Sequence, residues 1–188
     1  MNWIALIPVK EPEVCKTRLA EHLSSTERAR LCEQMLAHVL DVLSHCPGIG
    51  PVVVLSRRRP VLWTGAWIVD EGRGLNEELT ACMTKLGGQR IAILHSDLPL
   101  LCVDDVTALI EAAELDPALA QDRHGSGTNA FALPNASDVT FAFGQDSLRR
   151  HQQLLRGRVH VVKRPGLALD IDTPADLVYA EAQGFHRQ

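Results

Sequence analysis

The sequence lacks the features that mark several large classes of protein. Its five cysteines form no CxxC pair, and it contains neither GxGxxG nor GxxxxGK[ST]. No apolar run is long enough to span a membrane. The formal net charge is −4, so the chain has no excess of basic residues with which to bind nucleic acid or an anionic membrane surface. These absences argue against a zinc module, a dinucleotide-binding or Walker-type domain, a membrane protein and a nucleic-acid binder.

The remaining composition is that of an ordinary globular domain. Apolar residues make up 46% and charged residues 22% of the 188 residues, which favours one domain over residues 1–188. An odd number of cysteines predicts reduced thiols, as in a cytosol, and not a disulfide framework. The first residues are too few for a signal-peptide core and include no basic leader. We therefore expect a soluble, cytoplasmic enzyme or binding domain.

Strand and helix patterns alternate along most of the chain. This alternation predicts an α/β fold of three layers, Rossmann-like, with a mostly parallel sheet between helices. A late cluster of strands predicts that the sheet also gains an antiparallel member. The predicted strands cover residues 3–9, 51–55, 66–69, 90–94, 129–133, 139–143, 159–162 and 167–169. The predicted helices cover residues 24–44, 76–86, 103–113, 146–155 and 175–182.

Two aspartates, distant in sequence, each follow an apolar run that is typical of a strand. Asp97 comes after residues 91–94, and Asp170 comes after residues 167–169. Carboxylates placed just past strand ends build magnesium sites at the carboxyl edge of α/β sheets, and such an ion points to a phosphorylated substrate. The alternative is that each aspartate only begins a turn before a proline.

A cationic loop follows the first predicted strand. Lys10, Lys16 and Arg18 lie within nine positions of one another. The first strand-to-helix loop of such folds commonly binds nucleotide phosphates through backbone amides and nearby cations. The alternative is a solvated, charged loop.

Three further loops have the composition of anion or nucleotide sites. Gly74 allows close approach of the backbone, and Asn76 either pairs with a base or ribose or serves as a helix N-cap. The Gly/Ser/Thr-rich loop 122–129 resembles an anion nest. Gly144 begins a third loop, which leads into a helix. Each loop, taken alone, is also compatible with a plain turn.

The third loop continues into a helix whose start attracts anions. Ser147 lies at the predicted helix start, and His151 follows four residues later on the same helical face. On its own, His151 is interpreted as a surface histidine. Together with the cationic loop and the acidic strand ends, these segments are the parts of a metal-dependent nucleotidyltransferase.

The chain resembles the CofC/FbiD guanylyltransferases of deazaflavin coenzyme F-420 biosynthesis along nearly its whole length. The motifs that carry the resemblance are VK…KTRLA near the start, GLN at 74–76, SDLPL at 96–100, DRxGxGT at 122–128, FGxDSxxRH at 143–151 and DIDTPADL at 170–177. Members transfer GMP from GTP to the phosphate of 2-phospho-L-lactate, phosphoenolpyruvate or 3-phospho-D-glycerate and release pyrophosphate. The resemblance implies a GT-A-like fold.

The resemblance also implies roles for individual residues. Asp97 and Asp170 would bind Mg²⁺, with Asp172 as an outer or alternate ligand. Lys10, Lys16 and Arg18 would bind the triphosphate, and with Asp97 they would form the catalytic set. Gly74, Leu75 and Asn76 would contact the guanine side of the nucleotide. Thr128, Gly144 and Ser147 would bind the acceptor, with His151 nearby.

Two other functions remain open at this point. A molybdenum-cofactor guanylyl- or cytidylyltransferase would share the first loop and the DxDTPxDL ending, although its Gly-rich start is missing here. A nucleotide-sensing domain would bind without turnover. The sequence leaves undecided which three-carbon acid is used, how strictly GTP is preferred, whether the chain forms a homodimer, and whether it hands its product to a downstream transferase.

Overall fold

The protein forms one mixed sheet that is covered by helices on both faces. The computed structural model describes residues 2–11, 15–136 and 139–187. The strands are β1 Trp3–Pro8, β2 Ile49–Ser56, β3 Ala66–Val69, β4 Ile91–Leu94, β5 Ala118–Gln121, β6 Thr128–Leu133 and β7 His160–Val162. The helices are α1 Ser25–His45, α2 Leu75–Leu86, α3 Val103–Ala112, α4 Ser147–Leu154, α5 Pro165–Ala168 and α6 Pro174–Ala182, and a 3₁₀ turn covers Thr17–Leu19.

The strand order is β3-β2-β1-β4-β6-β5-β7, and the first four strands of the chain run parallel. Strand β6 is antiparallel to both of its neighbours, whereas β7 is parallel to β5. The predicted α/β fold with a mostly parallel mixed sheet is confirmed. Because β6 runs opposite to β4, the beginning of β6 lies at the same edge of the sheet as the end of β4.

The layers follow from strands that are apolar on both faces. Every residue of β4 is fully buried, as expected for a parallel strand in the middle of a sheet. Leu6 and Ile93 pack with residues of α2 and α4 on one face. Ile7 and Leu94 pack with residues of α1 and α3 on the other. The site residues that follow β1 and β4 are thus mounted on the most buried part of the fold.

Helix ends are fixed by side-chain caps close to the same edge. Ser24 and Glu27 form the capping box that the sequence predicts for α1, with Ser24 N donating to Glu27 Oε2 over 2.8 Å. Thr173 and Asp176 form a second capping box at the start of α6. Helix α2 begins at Leu75, with Gly74 as its N-cap, so the interpretation of Asn76 as the N-cap is wrong.

The structure corrects two predicted strands and adds one that was not predicted. Residues 139–143 form no strand, because backbone N–H groups there bond to side chains of Asn76 and His151. Residues 167–169 belong to the end of the short helix α5 and the residue after it. Strand β5 was not predicted, because its sequence ALAQ contains no β-branched or aromatic residue.

The expectation of five reduced thiols is wrong for one pair. Cys15 and Cys32 form a disulfide, which the packing of the first loop against α1 brings together across 17 residues of sequence. Cys46, Cys82 and Cys102 are free thiols. Within the described ranges, no helix combines the length and the apolar character that crossing a bilayer would need.

Candidate active site

Three carboxylates converge at the carboxyl end of β4. Asp97 follows this strand, and Asp170 and Asp172 lie between α5 and α6. One oxygen of each lies within 4.8 Å of the others. A backbone hydrogen bond of 3.4 Å from Ile171 N to Asp97 O places the two segments side by side, and Asn129 Nδ2 donates to Asp170 Oδ1 over 3.1 Å. The fold therefore brings together the three predicted metal ligands.

Lys16 projects into this carboxylate cluster. Its Nζ contacts Asp97 and lies 2.8 Å from Asp172 Oδ1. Burial acts to lower the pKa of Lys16, but the charges of Asp97 and Asp172 outweigh it and raise that pKa above its ordinary value. Burial acts to raise the pKa of Asp97, and Lys16 reverses this effect and holds that pKa below its ordinary value. The ammonium is thus a fixed positive charge inside the cluster.

One ammonium leaves this group of charges incompletely neutralised. Burial, together with the charges of Asp97 and Asp172, raises the pKa of Asp170. Asp97 Oδ1 is buried and receives no hydrogen bond from any described residue. The cluster therefore carries a net negative charge and includes one buried oxygen without a hydrogen bond. Both properties suit a hard divalent cation such as Mg²⁺ or Mn²⁺. The residues present are therefore suited to the predicted metal.

A cavity of about 1000 Å³ opens beside the carboxylate cluster. Its walls come from the loop after β1, the segment after β2, the loop before α2 and residues 95–97. The predicted phosphate-binding residues Lys10, Lys16 and Arg18 all line it, as do Gly74 and Leu75. The cationic loop, which could have been merely solvated, thus faces an enclosed space next to the acidic cluster.

Asn76, by contrast, is already paired within the protein. Its Nδ2 donates to Phe143 O over 3.2 Å, and its Oδ1 accepts from Phe143 N over 2.8 Å. These two bonds join the first turn of α2 to the extended segment 139–143. The predicted contact of Asn76 with a base stays a prediction. In the structure, the Asn76 side chain links the first turn of α2 to Phe143.

The loop before α2 is shaped by one buried carboxylate. Glu78 accepts hydrogen bonds from Glu71 N and Arg73 N, both over 3.0 Å, and its Oε2 pairs with the Arg73 guanidinium at 2.8 Å. The Arg73 hydrogen bond is the main reason that the pKa of Glu78 falls to about 2. This carboxylate holds the turn in which Gly74 takes a φ of 107°.

A second group of predicted residues meets around His151. His151 Nε2 accepts from Ala142 N over 2.9 Å, so the proton of the neutral ring must be on Nδ1, which lies 3.1 Å from Thr128 Oγ1. Burial lowers the pKa of His151 to about 4, which keeps the ring neutral. Because Thr128 Oγ1 accepts this proton, its own hydroxyl proton is directed elsewhere. The alternative interpretation of His151 as a surface histidine is wrong.

The two glycine-containing loops pack against each other beside this pair. Leu148 N donates to Ser126 O over 3.0 Å, and Ser147 N donates to Gly144 O over 3.2 Å. Ser147 is buried at the first position of α4, and Gly144 has a φ of 114°. The fold thus assembles Thr128, Gly144, Ser147 and His151 into one group, which we call the hydroxyl group cluster. Its members are not among the residues that line the cavity.

Sequence reasoning missed several polar residues at the same edge. Three consecutive arginines, residues 57–59, follow β2 and line the cavity. Arg57 and Arg58 lie 4.0 and 3.7 Å from the carboxylate oxygens of Glu11 in the first loop. The sequence could have indicated these arginines, because they follow a predicted strand directly. Lys10 was selected for the same reason, as a cation in the loop after a strand. His95 and Glu78 gave no comparable signal, because neither matches the paired carboxylates or the group of cations on which the predictions were based.

The fold and the site together define a nucleotidyltransferase. A nucleotide-diphospho-sugar transferase, provisionally assigned, from Desulfovibrio desulfuricans G20 has a similar fold, with a TM-score of 0.76 at 18% identity over 98% of this chain and 89% of that one. A Mycobacterium tuberculosis H37Rv protein described as a complex with manganese has a TM-score of 0.63 at 14% identity, over 96% of this chain and 98% of that one.

The sequence comparisons give the family. The family model "Guanylyl transferase CofC like" matches residues 3–184, and the chain belongs to this family. Phosphoenolpyruvate guanylyltransferase of Sphaerobacter thermophilus is 38% identical over 94% of this chain and 91% of its own length. The protein of the same name from Rubrobacter xylanophilus is 38% identical over 98% of this chain and 96% of its own length.

The position of Lys16 predicts competition with a metal ion. Lys16→Met should tighten Mn²⁺ binding in the absence of nucleotide about tenfold or more, because it removes an ammonium from Asp97 and Asp172, two of the three predicted metal ligands. Free Mn²⁺ is measured by electron paramagnetic resonance. Lys10→Met is the matched control, since it removes the same charge from an exposed residue of the same cavity. An equal gain in both variants would contradict the competition.

The environment of Glu78 predicts a specific dependence of stability on pH. A lowered folded-state pKa means that the stabilisation is complete above the ordinary value of 4.5 and is lost as the pH falls through about 2. Glu78→Gln should reduce the free energy of unfolding by about 2 kcal/mol at neutral pH. The difference from the wild type should shrink across that acid range. Urea unfolding at several pH values measures both, with exposed Glu77→Gln as the control.

Proposed function

We propose that this protein transfers GMP from GTP to phosphoenolpyruvate and releases pyrophosphate, in coenzyme F-420 biosynthesis. The observation that carries the proposal is the carboxylate cluster with Lys16 at the cavity wall, in a member of the guanylyl transferase CofC-like family. The choice of phosphoenolpyruvate rests on the names of the relatives. 2-Phospho-L-lactate and 3-phospho-D-glycerate are the acceptors to be tested against it.

The reaction requires positioning more than proton transfer. An oxygen of the acceptor phosphate attacks the α-phosphorus of GTP, a new P–O bond forms, and the bond to the bridging oxygen of pyrophosphate breaks. The acceptor phosphate is already anionic at neutral pH, so no strong general base is needed. The difficulty is to bring two anions together in line, which calls for fixed cations around both.

The residues around the cavity are suited to that task. Asp97, Asp170 and Asp172 would hold Mg²⁺, which when bound would neutralise charge on the phosphates. The same fold is described with manganese in the Mycobacterium tuberculosis protein, which supports a divalent ion here. The triphosphate would lie against the cationic loop, formed by Lys10, Lys16 and Arg18, and the guanine side against Gly74 and Leu75.

The hydroxyl group cluster would hold the acceptor. Thr128 and Ser147 offer hydroxyls, and Gly144 leaves open space at its α-carbon, where an added Cβ would meet no atom within 4 Å. His151 would act through Thr128, since it fixes which way that hydroxyl donates. Asn76 would act through Phe143, which directly precedes Gly144.

The alternatives differ from this proposal in measurable ways. A molybdenum-cofactor transferase is not favoured, because the family match covers nearly the whole chain. A nucleotide-sensing domain would bind GTP without releasing pyrophosphate from any acceptor. The cytoplasmic location, the homodimer and the hand-over to a downstream transferase stay predictions.

The decisive experiment is a side-by-side assay with the three acids. Purified enzyme receives GTP, Mg²⁺ and one acid, and pyrophosphate release is followed. A downstream transferase is added, because the product is expected to be short-lived. The proposal requires that phosphoenolpyruvate give the highest kcat/KM, and that ATP and CTP be poor donors. No release with any acid would overturn guanylyl transfer, and preference for another acid would overturn only the acceptor.

Asp97→Asn tests the metal-binding role. We expect GMP transfer to fall by about a hundredfold or more, because one electrostatic contact to the reacting phosphates commonly contributes on the order of 3 kcal/mol. The thermal unfolding temperature, measured in parallel, should change little. Asp41→Asn, on the exposed surface of α1, is the matched control. Metal-dependent turnover at the wild-type rate in Asp97→Asn would refute the assignment.

A further inference from the structure

His95 lies between the carboxylate cluster and the hydroxyl group cluster. It directly follows β4 and comes two residues before Asp97, and its backbone N donates to Asn129 O over 3.0 Å. Its ring lies 5.5 Å from the ring of Phe143, measured between centroids. Phe143 in turn contacts the ring of His151 at 4.8 Å. His95 therefore connects the end of β4 with Asn129 through its backbone and with Phe143 through its ring.

The side chain of His95 has an unused hydrogen-bonding atom. Nε2 is buried and makes no hydrogen bond with any described residue. Buried polar nitrogens of native proteins are nearly always paired, with protein, water or a ligand. His95 also lines the cavity beside Asp97. A buried, unpaired nitrogen of a residue that lines the cavity is most simply explained by a partner that arrives with the substrate.

We infer that His95 is a specificity-determining residue that donates a hydrogen bond from Nε2 to an oxygen of the acidic acceptor. The inference rests on the proposed function, and it assigns to His95 a contact with the acceptor and none with GTP. Two observations favour the acceptor. The ring packs against Phe143, which leads into Gly144, and the backbone is bonded to Asn129, the neighbour of Thr128. The contact needs one ring N–H, and no proton is transferred.

A kinetic comparison of three variants tests the inference. His95→Leu should raise the KM for phosphoenolpyruvate about tenfold or more, because a site that loses its hydrogen-bond donor leaves a substrate oxygen unpaired. The KM for GTP should stay within about twofold. His95→Gln should recover part of the loss, since its amide nitrogen can reach the position of Nε2. His160→Leu, at an exposed position on β7, is the matched control.

Direct binding separates this inference from the proposed function. Histidines labelled with ¹³C at Cε1 are observed by nuclear magnetic resonance, and the signal absent from His95→Gln is assigned to His95. Phosphoenolpyruvate should shift this signal and leave that of His160 unchanged. Inorganic phosphate and pyruvate, added separately, distinguish a contact to the phosphate from one to the carboxylate. If the wild type releases no pyrophosphate with any of the three acids, the proposed function fails. The magnetic resonance titration with phosphoenolpyruvate still decides whether His95 contacts this acid.

Three results would overturn the inference. The first is an unchanged KM for the acceptor in His95→Leu with the thermal unfolding temperature preserved. The second is an equal rise in the KM for GTP and for the acceptor, which would indicate a general distortion of the site. The third is a His95 signal that none of the added anions shifts.

Discussion

The convergence of three carboxylates at the end of β4 is the constraint on which the rest of the site depends. Like charges within 4.8 Å of one another repel, and burial makes the repulsion stronger. The fold opposes this repulsion with the ammonium of Lys16, an amide of Asn129 and the guanidinium of Arg18, which lies 3.9 Å from Asp172. The backbone of Lys16, from which its side chain reaches the cluster, takes the left-handed conformation, with φ 51°. The path of the first loop is therefore tied to the electrostatics of the cluster.

The reversed direction of β6 is the second determinant of the site. A parallel strand would bring its final residues to this edge, whereas β6 brings its first two, Thr128 and Asn129. These neighbours serve different groups, because successive side chains of a strand point to opposite faces. Asn129 donates to Asp170 and to the carbonyls of Leu167 and Ala168, and Thr128 meets His151. One strand start thus connects the carboxylate cluster with the hydroxyl group cluster.

Local patterns in the sequence predicted the parts of this site that depend on local structure. Asp97 could be predicted because it follows an apolar run, and α1 because Ser24 and Glu27 form a capping box. The pairing of Asn76 with Phe143 could not, since it joins residues 67 positions apart through a backbone that forms no strand. Burial of His151 also depends on long-range packing, because only the fold brings Phe131 and Phe143 to within about 5 Å of its ring. Neither the pairing of Asn76 with Phe143 nor the packing around His151 can be inferred from the pattern of residues in one sequence.

Aromatic packing keeps His151 neutral, which is why its hydrogen bonds with Ala142 and Thr128 have only one direction. Phe131 and Phe143 contact the ring of His151, and Phe141 packs against both phenylalanines. The ring of His95 contacts Phe143 and extends this group toward the carboxylates. In such apolar surroundings a charged imidazole is disfavoured, and each hydrogen bond is stronger than it would be in water. Ala142 N occupies Nε2 of His151, so Nδ1 must donate, and Thr128 must direct its own proton to another acceptor. The aromatic core thus keeps the ring neutral, and the hydrogen bond from Ala142 N then determines the direction of the Thr128 hydroxyl proton.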